Sequence, residues 1–207
     1  MARTLVSSYP REVNNDCADR PMMLSQTERS SYGSTRELVT PSDIEAAQRL
    51  RYTVWRSEGV VIHHTERKVI ADHHDEHAIH WGVFDGDQLV GAARLCIHDQ
   101  LAETPDAEMF LTADIRSPVA SMNRLVVLRS HRGRGIGGHL DRVRIQRARD
   151  VGARTIVAAP VNMNPRKLSL IALGFQVLSE VTGHAKWSPT VELCACYLKL
   201  NQLDQVR

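Results

Sequence analysis

The sequence predicts an α/β (α+β) fold whose mixed, mostly antiparallel sheet carries helices on both faces. Two strand patterns flank an Asp-Gly-Asp turn at residues 85–87, which indicates a β-hairpin. A buried strand, a glycine-rich turn, a helix and another strand follow one another over residues 118–159, and such a unit requires parallel strands. The complete order reads roughly βα-ββ-β-α-β-α-ββ, which joins antiparallel hairpins to one parallel connection.

The composition is that of a single globular domain. With 207 residues, 43% of them hydrophobic and 24% charged, the chain is long enough to bury one substantial core. We assign residues 35–207 to this domain and residues 1–34, rich in Ser, Arg and Asn, to a weakly ordered leader. A net charge of +2 does not predict nucleic acid as a partner, and no apolar run is long enough to span a membrane. Cysteines without metal-like spacing and the lack of a hydrophobic signal region predict a reduced, cytoplasmic protein.

The first elements are a short strand and an amphipathic helix. Residues 37–39 form the strand, and Thr40 then occupies the N-cap position of the helix. Pro41 stands at the first helical position and Asp43 in the first turn, as is typical of helix starts. Apolar residues recur at helical spacing until Gly59 ends the pattern.

A histidine-rich segment over residues 60–80 allows two interpretations. A zinc or iron site is one, because histidine and carboxylate side chains are ligands for these metals. A polar surface loop is the other, and we favour it because no HExxH or similar helical ligand pattern is present. We therefore expect no metal. The candidate ligands are His73, His74, His77, His80, Asp72 and Asp75.

Residues 98–117 form a long polar loop after the hairpin, with a short helical turn predicted over 107–111. Loops of this length in compact domains are often functional, so we expect this one to cover a substrate pocket. A strand over 118–128 then enters the glycine turn.

The helix after the turn is predicted to bury one apolar stripe, formed by Ile136, Leu140, Val143, Ala148 and Val151, and to end at Gly152. Its arginines lie mostly opposite this stripe, so we expect a solvated face for Arg142, Arg144, Arg147 and Arg149. The remaining elements are a strand over 155–159, a helix over 165–173 and strands over 175–178 and 191–200. Cys194 and Cys196 share one face of the last strand as small hydrophobes.

The glycine turn at residues 132–138 has the properties of a phosphate site. Glycines let the backbone approach a ligand closely, and the helix that begins there directs unpaired N–H groups toward it. A P-loop is excluded because no Lys-Ser or Lys-Thr follows the glycines. A dinucleotide turn matches GxGxxG at 133–138, but the next strand ends at Ala158-Ala159-Pro160, without the acidic residue that would hold a ribose.

The motif at residues 132–137 is R-x-x-G-x-G, and with it the chain resembles the GNAT superfamily of acyl-CoA N-acyltransferases over about residues 36–200. The resemblance implies that amides of the turn hold the coenzyme A pyrophosphate, while a splayed strand before it pairs with the pantetheine arm. Leu173-Gly174-Phe175 resembles the family's helix-plus-Gly-Phe segment, with Asn162 or Asn164 near its asparagine. The implied cofactor-binding residues are Leu125, Val126, Val127, Arg132, Gly133, Arg134, Gly135, Ile136, Gly137, Gly138 and Asn164.

The catalytic half departs from the family pattern. Leu170 stands where many members carry a tyrosine that protonates the departing thiolate. Ser169 or water is the remaining candidate for the acid. Asn123 stands where the family often has a carboxylate, and an amide is not a base, so a water chain or an already neutral amine is needed. Asn123 and Ser169 are therefore weak candidates for catalytic residues.

The first half of the domain carries a second resemblance, to the N-acyl amino acid and acyl-homoserine lactone synthase branch of the superfamily. It depends on Arg51, Trp55, Asp72, Asp75 and the strands around Arg94 and Asn123-Arg124. The resemblance makes Trp55, Asp75 and Arg94 candidates for substrate binding. Trp55 is equally well explained as a core residue and Asp75 as a loop cap. Arg94 either binds a substrate carboxylate or pairs with Asp72 or Asp75.

By this resemblance we expect an enzyme that transfers an acyl group, most simply acetyl from acetyl-CoA, to a primary amine of a small molecule or peptide. Two alternatives stay open: a long-chain N-acyl amino acid synthase-like enzyme using acyl-CoA or acyl carrier protein, and a non-catalytic acyl-CoA-binding module. A homodimer is also left open. The acceptor is not readable from the sequence, because the variable segments 60–80 and 98–117 determine it.

Overall fold

Seven strands of one sheet and three α-helices make up the described part of the chain. The computed structural model describes residues 33–60, 66–185 and 188–200. The strands are β1 Ser34–Leu38, β2 Ile79–Asp85, β3 Gln88–His98, β4 Val119–Val127, β5 Thr155–Ala158, β6 Gln176–Ala185 and β7 Ser188–Lys199, and the helices are α1 Pro41–Ser57, α2 Ile136–Asp150 and α3 Asn164–Ile171. The strand order is β1-β2-β3-β4-β5-β7-β6, with β4 and β5 parallel and all other neighbours antiparallel. The predicted fold class is therefore confirmed.

The start of α1 follows the predicted capping chemistry. The Thr40 hydroxyl accepts a hydrogen bond from the Asp43 amide at 3.1 Å, and the Asp43 carboxylate accepts one from the Thr40 amide at 3.4 Å. This reciprocal arrangement satisfies two donors that helix formation leaves unpaired. Of the predicted leader, only Gly33 and Ser34 lie among the described residues, and Ser34 already belongs to β1.

Successive sheet residues face opposite layers, because side chains alternate along a strand. Helices α2 and α3 pack on one face, where Ala93 and Ile156 join the main apolar cluster. On the other face, α1 covers Ala92, and the short helical turn at 107–110 covers Val157. This turn lies in the loop predicted over 98–117, which the structure confirms as mainly irregular.

The close approach of α2 to the sheet depends on a glycine of β3. A Cβ added at Gly91 would lie 2.8 Å from Cγ2 of Ile136, the first residue of α2. Because this contact is too short for any larger residue, Gly91 allows the start of α2 to pack close against the sheet.

Strands β4 and β5 separate after three residue pairs. Val119, Ala120 and Ser121 pair with Thr155, Ile156 and Val157, whereas β4 continues to Val127. On its other side β4 pairs with β3 on either side of a bulge, where Arg124 adopts a φ of +53°. The expected splay is thus present, and it leaves the β5-facing edge of β4 open beyond Ser121.

The expectation of a wholly solvated arginine face on α2 is wrong for Arg144. Its side chain is 0% exposed, whereas Arg142, Arg147 and Arg149 are exposed as predicted. Val151 was placed on the apolar stripe, yet it lies just past the helix and is 39% exposed, and Ile145 takes the buried position. The reason is that carbonyl groups at the β3–β4 bulge need donors, and Arg144 reaches them from the helix.

Helix α3 and the last two strands agree with the predicted order. Gly174, with a φ of +91°, follows α3 as expected of a helix stop. Strands β6 and β7 are longer than predicted, because their polar outer ends lack an apolar pattern. Cys194 and Cys196 are both buried on one face, with their sulfur atoms 3.9 Å apart.

Candidate active site

The turn between β4 and α2 presents unpaired backbone amides at the start of a 15-residue helix. Gly133 and Gly135 have φ values of +76° and +83°, a region that side chains with a Cβ rarely occupy. Gly135 is the N-cap, so the amides of Ile136, Gly137 and Gly138 form the first helical turn. These amides and the positive end of the helix dipole favour an anion at this position.

The packing of neighbouring residues does not require glycine at Gly137 or Gly138. A Cβ at Gly137 would meet only Leu125 Cδ2, at 3.8 Å, and one at Gly138 only Arg142 Nη1, at 3.7 Å. Both distances are ordinary van der Waals contacts. The space above the helix start is therefore open, as a bound polyphosphate would require.

Arg132 connects the turn to the end of β4. Its Nε donates to the Val127 carbonyl at 3.2 Å, and its Nη1 lies 2.9 Å from the carboxylate of Glu58. The guanidinium is 43% exposed, so it remains accessible to a ligand on the turn. Arg134 is also exposed. Two cations thus flank the amides of the turn.

The open edge of β4 is more accessible than its paired part. Asn123, Leu125 and Val127 are half-buried, whereas the side chain of Val126 is buried against α1. Because a pantetheine arm contacts backbone rather than side chains, the burial of Val126 does not conflict with its predicted role. The side chain of Asn164, the last predicted cofactor residue, lies outside the described part of the chain.

A buried ion cluster lies beside this edge, on the α1 face of the sheet. Asp75 accepts hydrogen bonds from Arg51 at 2.8 Å and from Arg94 at 2.7 Å. Asp72 lies 2.5 Å from Arg94 and 2.5 Å from Arg124. Three arginines and two aspartates leave one positive charge in excess, and we call these five residues the arginine–aspartate cluster.

Arg94 is paired within the arginine–aspartate cluster. Its side chain is 1% exposed and pairs with both Asp72 and Asp75, as the second alternative expected. The Asp75 side chain is 6% exposed and also accepts a hydrogen bond from the Asp72 backbone amide at 3.2 Å. This contact is the expected loop cap. Trp55 is half-buried beneath the guanidinium of Arg124, 5.1 Å from the ring centroid, an arrangement typical of a cation–π contact.

The histidine-rich segment contributes to this cluster. His80 is buried, its Nδ1 lies 3.2 Å from Arg51, and Asp75 is buried too, so the expected polar surface loop is wrong for both residues. The attraction of buried arginines for carboxylates explains the difference. Among the described residues, no three His, Cys, Asp or Glu side chains are arranged to hold a metal ion. Residues 61–65 of the segment lie outside the described part.

Burial raises the pKa of Asp72, Asp75 and Asp141, but neighbouring arginines outweigh it and hold all three below the ordinary range. Burial also lowers the pKa of His80 and His98 below the usual value of 6.5. The unfolded chain therefore binds more protons than the folded protein, first at the histidines and then at the carboxylates.

We expect the free energy of unfolding to fall as the pH drops from 7 to 3. The histidine contribution is lost as the pH falls below about 6.5, and the carboxylate contribution as it falls below about 4. Urea titrations at pH 7, 5.5, 4 and 3 measure both steps, with constant ionic strength as the control. A stability that stays constant over this range contradicts the buried charge network.

A second buried network joins α2, α3 and the bulge. Asp141 is 0% exposed, lies 2.5 Å from Arg144 and also pairs with Arg166 of α3. Arg144 donates to the carbonyls of Arg94 at 3.1 Å and Asn123 at 3.2 Å. Asp141 and Arg144 were not predicted, because helical periodicity alone places them among surface residues.

The two candidate catalytic residues lie in different networks. Ser169 Oγ accepts a hydrogen bond from Arg166 at 3.2 Å, and Leu170 is fully buried in the core. Asn123 Oδ1 accepts a hydrogen bond from Arg94 Nε at 2.5 Å, and its amide nitrogen donates to Ser121 Oγ at 3.2 Å. Ser121 in turn lies 2.9 Å from His98 Nε2. Sequence reasoning missed these last two residues, although Arg94, Cys96 and His98 share one face of β3 by strand alternation.

Within the described parts of the chain, every helix is too short or too polar to cross a membrane.

Comparison with known proteins finds one matching family model and several similar structures. Residues 37–175 match the model of the acetyltransferase (GNAT) family. The AHL synthase LasI has a similar structure, with 15% identity over 81% of this chain and 90% of its own and a TM-score of 0.60. FeeM, an N-acyl amino acid synthase from uncultured soil microbes, has 17% identity over 80% and 90%, with a TM-score of 0.59. The yncA protein of Salmonella typhimurium, with its cofactor acetyl-CoA, has 17% identity over 81% and 95%, with a TM-score of 0.56.

At these identities the structural likeness shows the fold alone. None of the curated proteins compared with the chain matches it.

Proposed function

Because the chain belongs to the GNAT acetyltransferase family, and is an acyl-CoA-dependent N-acyltransferase, we propose that it acetylates a primary amine of a small molecule or peptide. The observation that carries the proposal is the open edge of β4 leading into the glycine turn. An extended amide chain fits a free strand edge, and a pyrophosphate fits a helix start. Acetyl is the simplest acyl group consistent with the family.

Coenzyme A fits the residues present at this site. The amides of Ile136, Gly137 and Gly138 would hold the pyrophosphate, with Gly133 and Gly135 shaping the turn and Arg132 and Arg134 supplying counter-charge. Support comes from the open space above Gly137 and Gly138. The backbone of Leu125, Val126 and Val127 would align the pantetheine arm, and Asn164, the first residue of α3, is the last proposed cofactor-binding residue.

The bound thioester supplies an electrophilic carbonyl and a thiolate leaving group. Much of the rate would then come from holding the amine against that carbonyl, since positioning alone accelerates a bimolecular step strongly. Asn123 is a fixed amide between Arg94 and Ser121, which suits a role in orienting the amine. Ser169, bound to Arg166, is retained as a candidate proton donor to the thiolate.

The experiment measures acetyl-CoA binding by calorimetry and free thiol release over a panel of amines, polyamines, aminoglycosides and peptides. We expect binding heat and thiol release with at least one class of amine. Binding without release on the whole panel would favour the non-catalytic acyl-CoA-binding module. Absence of both binding heat and protection by CoA would reject the cofactor assignment.

A long-chain N-acyl amino acid synthase-like activity, using acyl-CoA or acyl carrier protein, is the second candidate. The arginine–aspartate cluster favours it, because its one excess positive charge lies beside the open strand edge, where Arg124 is partly exposed. Such a charge suits an acceptor that carries a carboxylate. In this role Trp55, Asp75 and Arg94 would act as substrate-binding residues, with Asp75 and Arg94 acting by holding Asp72, which pairs with Arg124. Comparing acetyl-CoA with long-chain acyl donors, on amino acids and on their amides, distinguishes the two candidates.

A further inference from the structure

A polar row crosses the two central strands at the point where β4 and β5 separate. Ser121 is the last residue of β4 that pairs with β5, and Asn123 is the next residue on the same face. His98 of β3 lies beside Ser121, with Nε2 2.9 Å from Oγ. His98 and Ser121 are almost closed to solvent, at 8% and 3% exposed, whereas Asn123 is half-buried at the open edge.

Hydrogen bonding determines which way Ser121 donates. Arg94 can only donate, so the Asn123 atom that it contacts is the oxygen, and the amide nitrogen faces Ser121. Ser121 Oγ therefore accepts from Asn123, and its own proton is free to point to His98 Nε2. Cys96 is the competing acceptor, but burial raises the pKa of its thiol, and a protonated thiol accepts hydrogen bonds weakly.

The surroundings keep His98 neutral. Burial lowers the pKa of His98, Glu103 of the 98–117 loop raises it, and Arg94 on the same strand lowers it further. The ring of His74 lies edge-on, with centroids 5.9 Å apart, and burial lowers the pKa of His74 as well. A neutral imidazole with an unprotonated Nε2 is ready to accept a proton at neutral pH.

We infer that Ser121 and His98 form the relay that accepts the proton of the attacking amine. This inference rests on the proposed function. Neither a carboxylate nor another imidazole is in hydrogen-bond contact with Ser121 or Asn123 among the described residues. The relay therefore supplies the general base that the sequence lacks at position 123.

Acyl transfer to the amine moves one proton through the relay. The amine nitrogen bonds to the thioester carbonyl carbon, the carbonyl electrons move to oxygen, and the nitrogen becomes positively charged. Its proton passes to Ser121 Oγ while the hydroxyl proton passes to His98 Nε2. Collapse restores the carbonyl and breaks the C–S bond, whose electrons stay on the CoA sulfur. The thiolate takes a proton from solvent, directly or through Ser169, and His98 returns one to solvent.

The test replaces His98→Gln and, separately, Ser121→Ala, and measures kcat against pH with acetyl-CoA and the fastest amine of the panel. We expect kcat to fall about 100-fold or more in each variant, the usual value of a positioned base. The acidic limb of the wild-type profile, below pH 6.5, should disappear in His98→Gln. Acetyl-CoA affinity by calorimetry should remain unchanged, which also establishes that the variants fold.

His139→Gln is the matched control. The Nε2 atom of this histidine lies 2.9 Å from the Thr35 hydroxyl, and burial lowers its pKa as well. It lies on α2, however, and is not part of the polar row on β3 and β4. We expect unchanged kcat and an unchanged acidic limb. A His98→Gln enzyme that keeps both would overturn the relay, and so would nitrogen NMR showing a proton on His98 Nε2 in the neutral wild type. If wild type does not bind acetyl-CoA, the proposed function fails instead, and the NMR result still tests the hydrogen-bond direction independently.

Discussion

Replacing Gly137→Glu is expected to weaken acetyl-CoA binding about 100-fold or more while making the folded protein more stable. A carboxylate about 5 Å from the pyrophosphate repels it by roughly 3 kcal/mol at an effective dielectric of about 20. The same carboxylate lies in the first turn of α2, where glutamate improves helix propensity and complements the dipole, together about 1 kcal/mol. The φ of Gly137 is not positive, and its added Cβ has room, so the fold tolerates the change.

Calorimetry with acetyl-CoA and urea unfolding measure the two effects in one protein preparation. Gly137→Gln is the control, since it adds nearly the same bulk without charge and should lose less affinity. Gly135→Glu is a poorer probe, because a φ of +83° strains any side chain there. Unchanged acetyl-CoA affinity in a stably folded Gly137→Glu protein would show that the turn does not hold the cofactor.

Replacing Asp141→Asn is expected to destabilise the protein by about 3–5 kcal/mol. The change removes the only carboxylate that the described residues place on Arg144, which is 0% exposed, and it also unpairs Arg166. A buried cation without its partner costs about this much, because water cannot reach it. Urea unfolding at pH 7 measures the difference.

Glu45→Gln is the matched control for Asp141→Asn. It makes the same carboxylate-to-amide change in a pair of equal length, 2.5 Å from Arg49, but both side chains are more than half exposed. Exposed pairs of this kind contribute at most about 0.5 kcal/mol. The double variant Asp141→Asn, Arg144→Met should recover part of the loss, since it removes the unpaired charge. Equal effects of Asp141→Asn and Glu45→Gln would contradict the burial of Asp141.

The features of this protein that the sequence predicts depend on contacts between residues that are close together in the chain. Thr40, Pro41 and Asp43 fix the start of α1 through contacts within one turn. The hairpin at Asp85, and the order strand, glycine turn, helix and strand, follow from short-range pattern in the same way. The R-x-x-G-x-G motif at 132–137 likewise predicts the cofactor end of the proposed site, because the amides and glycines that it needs are consecutive.

Only the tertiary structure shows the buried charge pairs and the polar contacts from which the relay is inferred. Arg144 has the spacing of a surface residue, and it is buried because the bulge at Arg124 leaves carbonyls that face α2. Arg94 had two candidate partners and finds both, since α1 and the 72–75 segment close over β3 from distant parts of the chain.

His98 and Ser121 were not distinguishable from other polar strand residues in the sequence. Their contact depends on the pairing register between β3 and β4 in the part of the ladder where Cys96 pairs with Ser121. A shift of one residue in that register would point the two side chains to opposite faces of the sheet. The sequence by itself thus determined the elements, their order and the glycine turn before α2, all of which depend on neighbours in the chain. Burial, charge pairing and the path of a proton depend on which distant residues meet, and the packing of the sheet decides that.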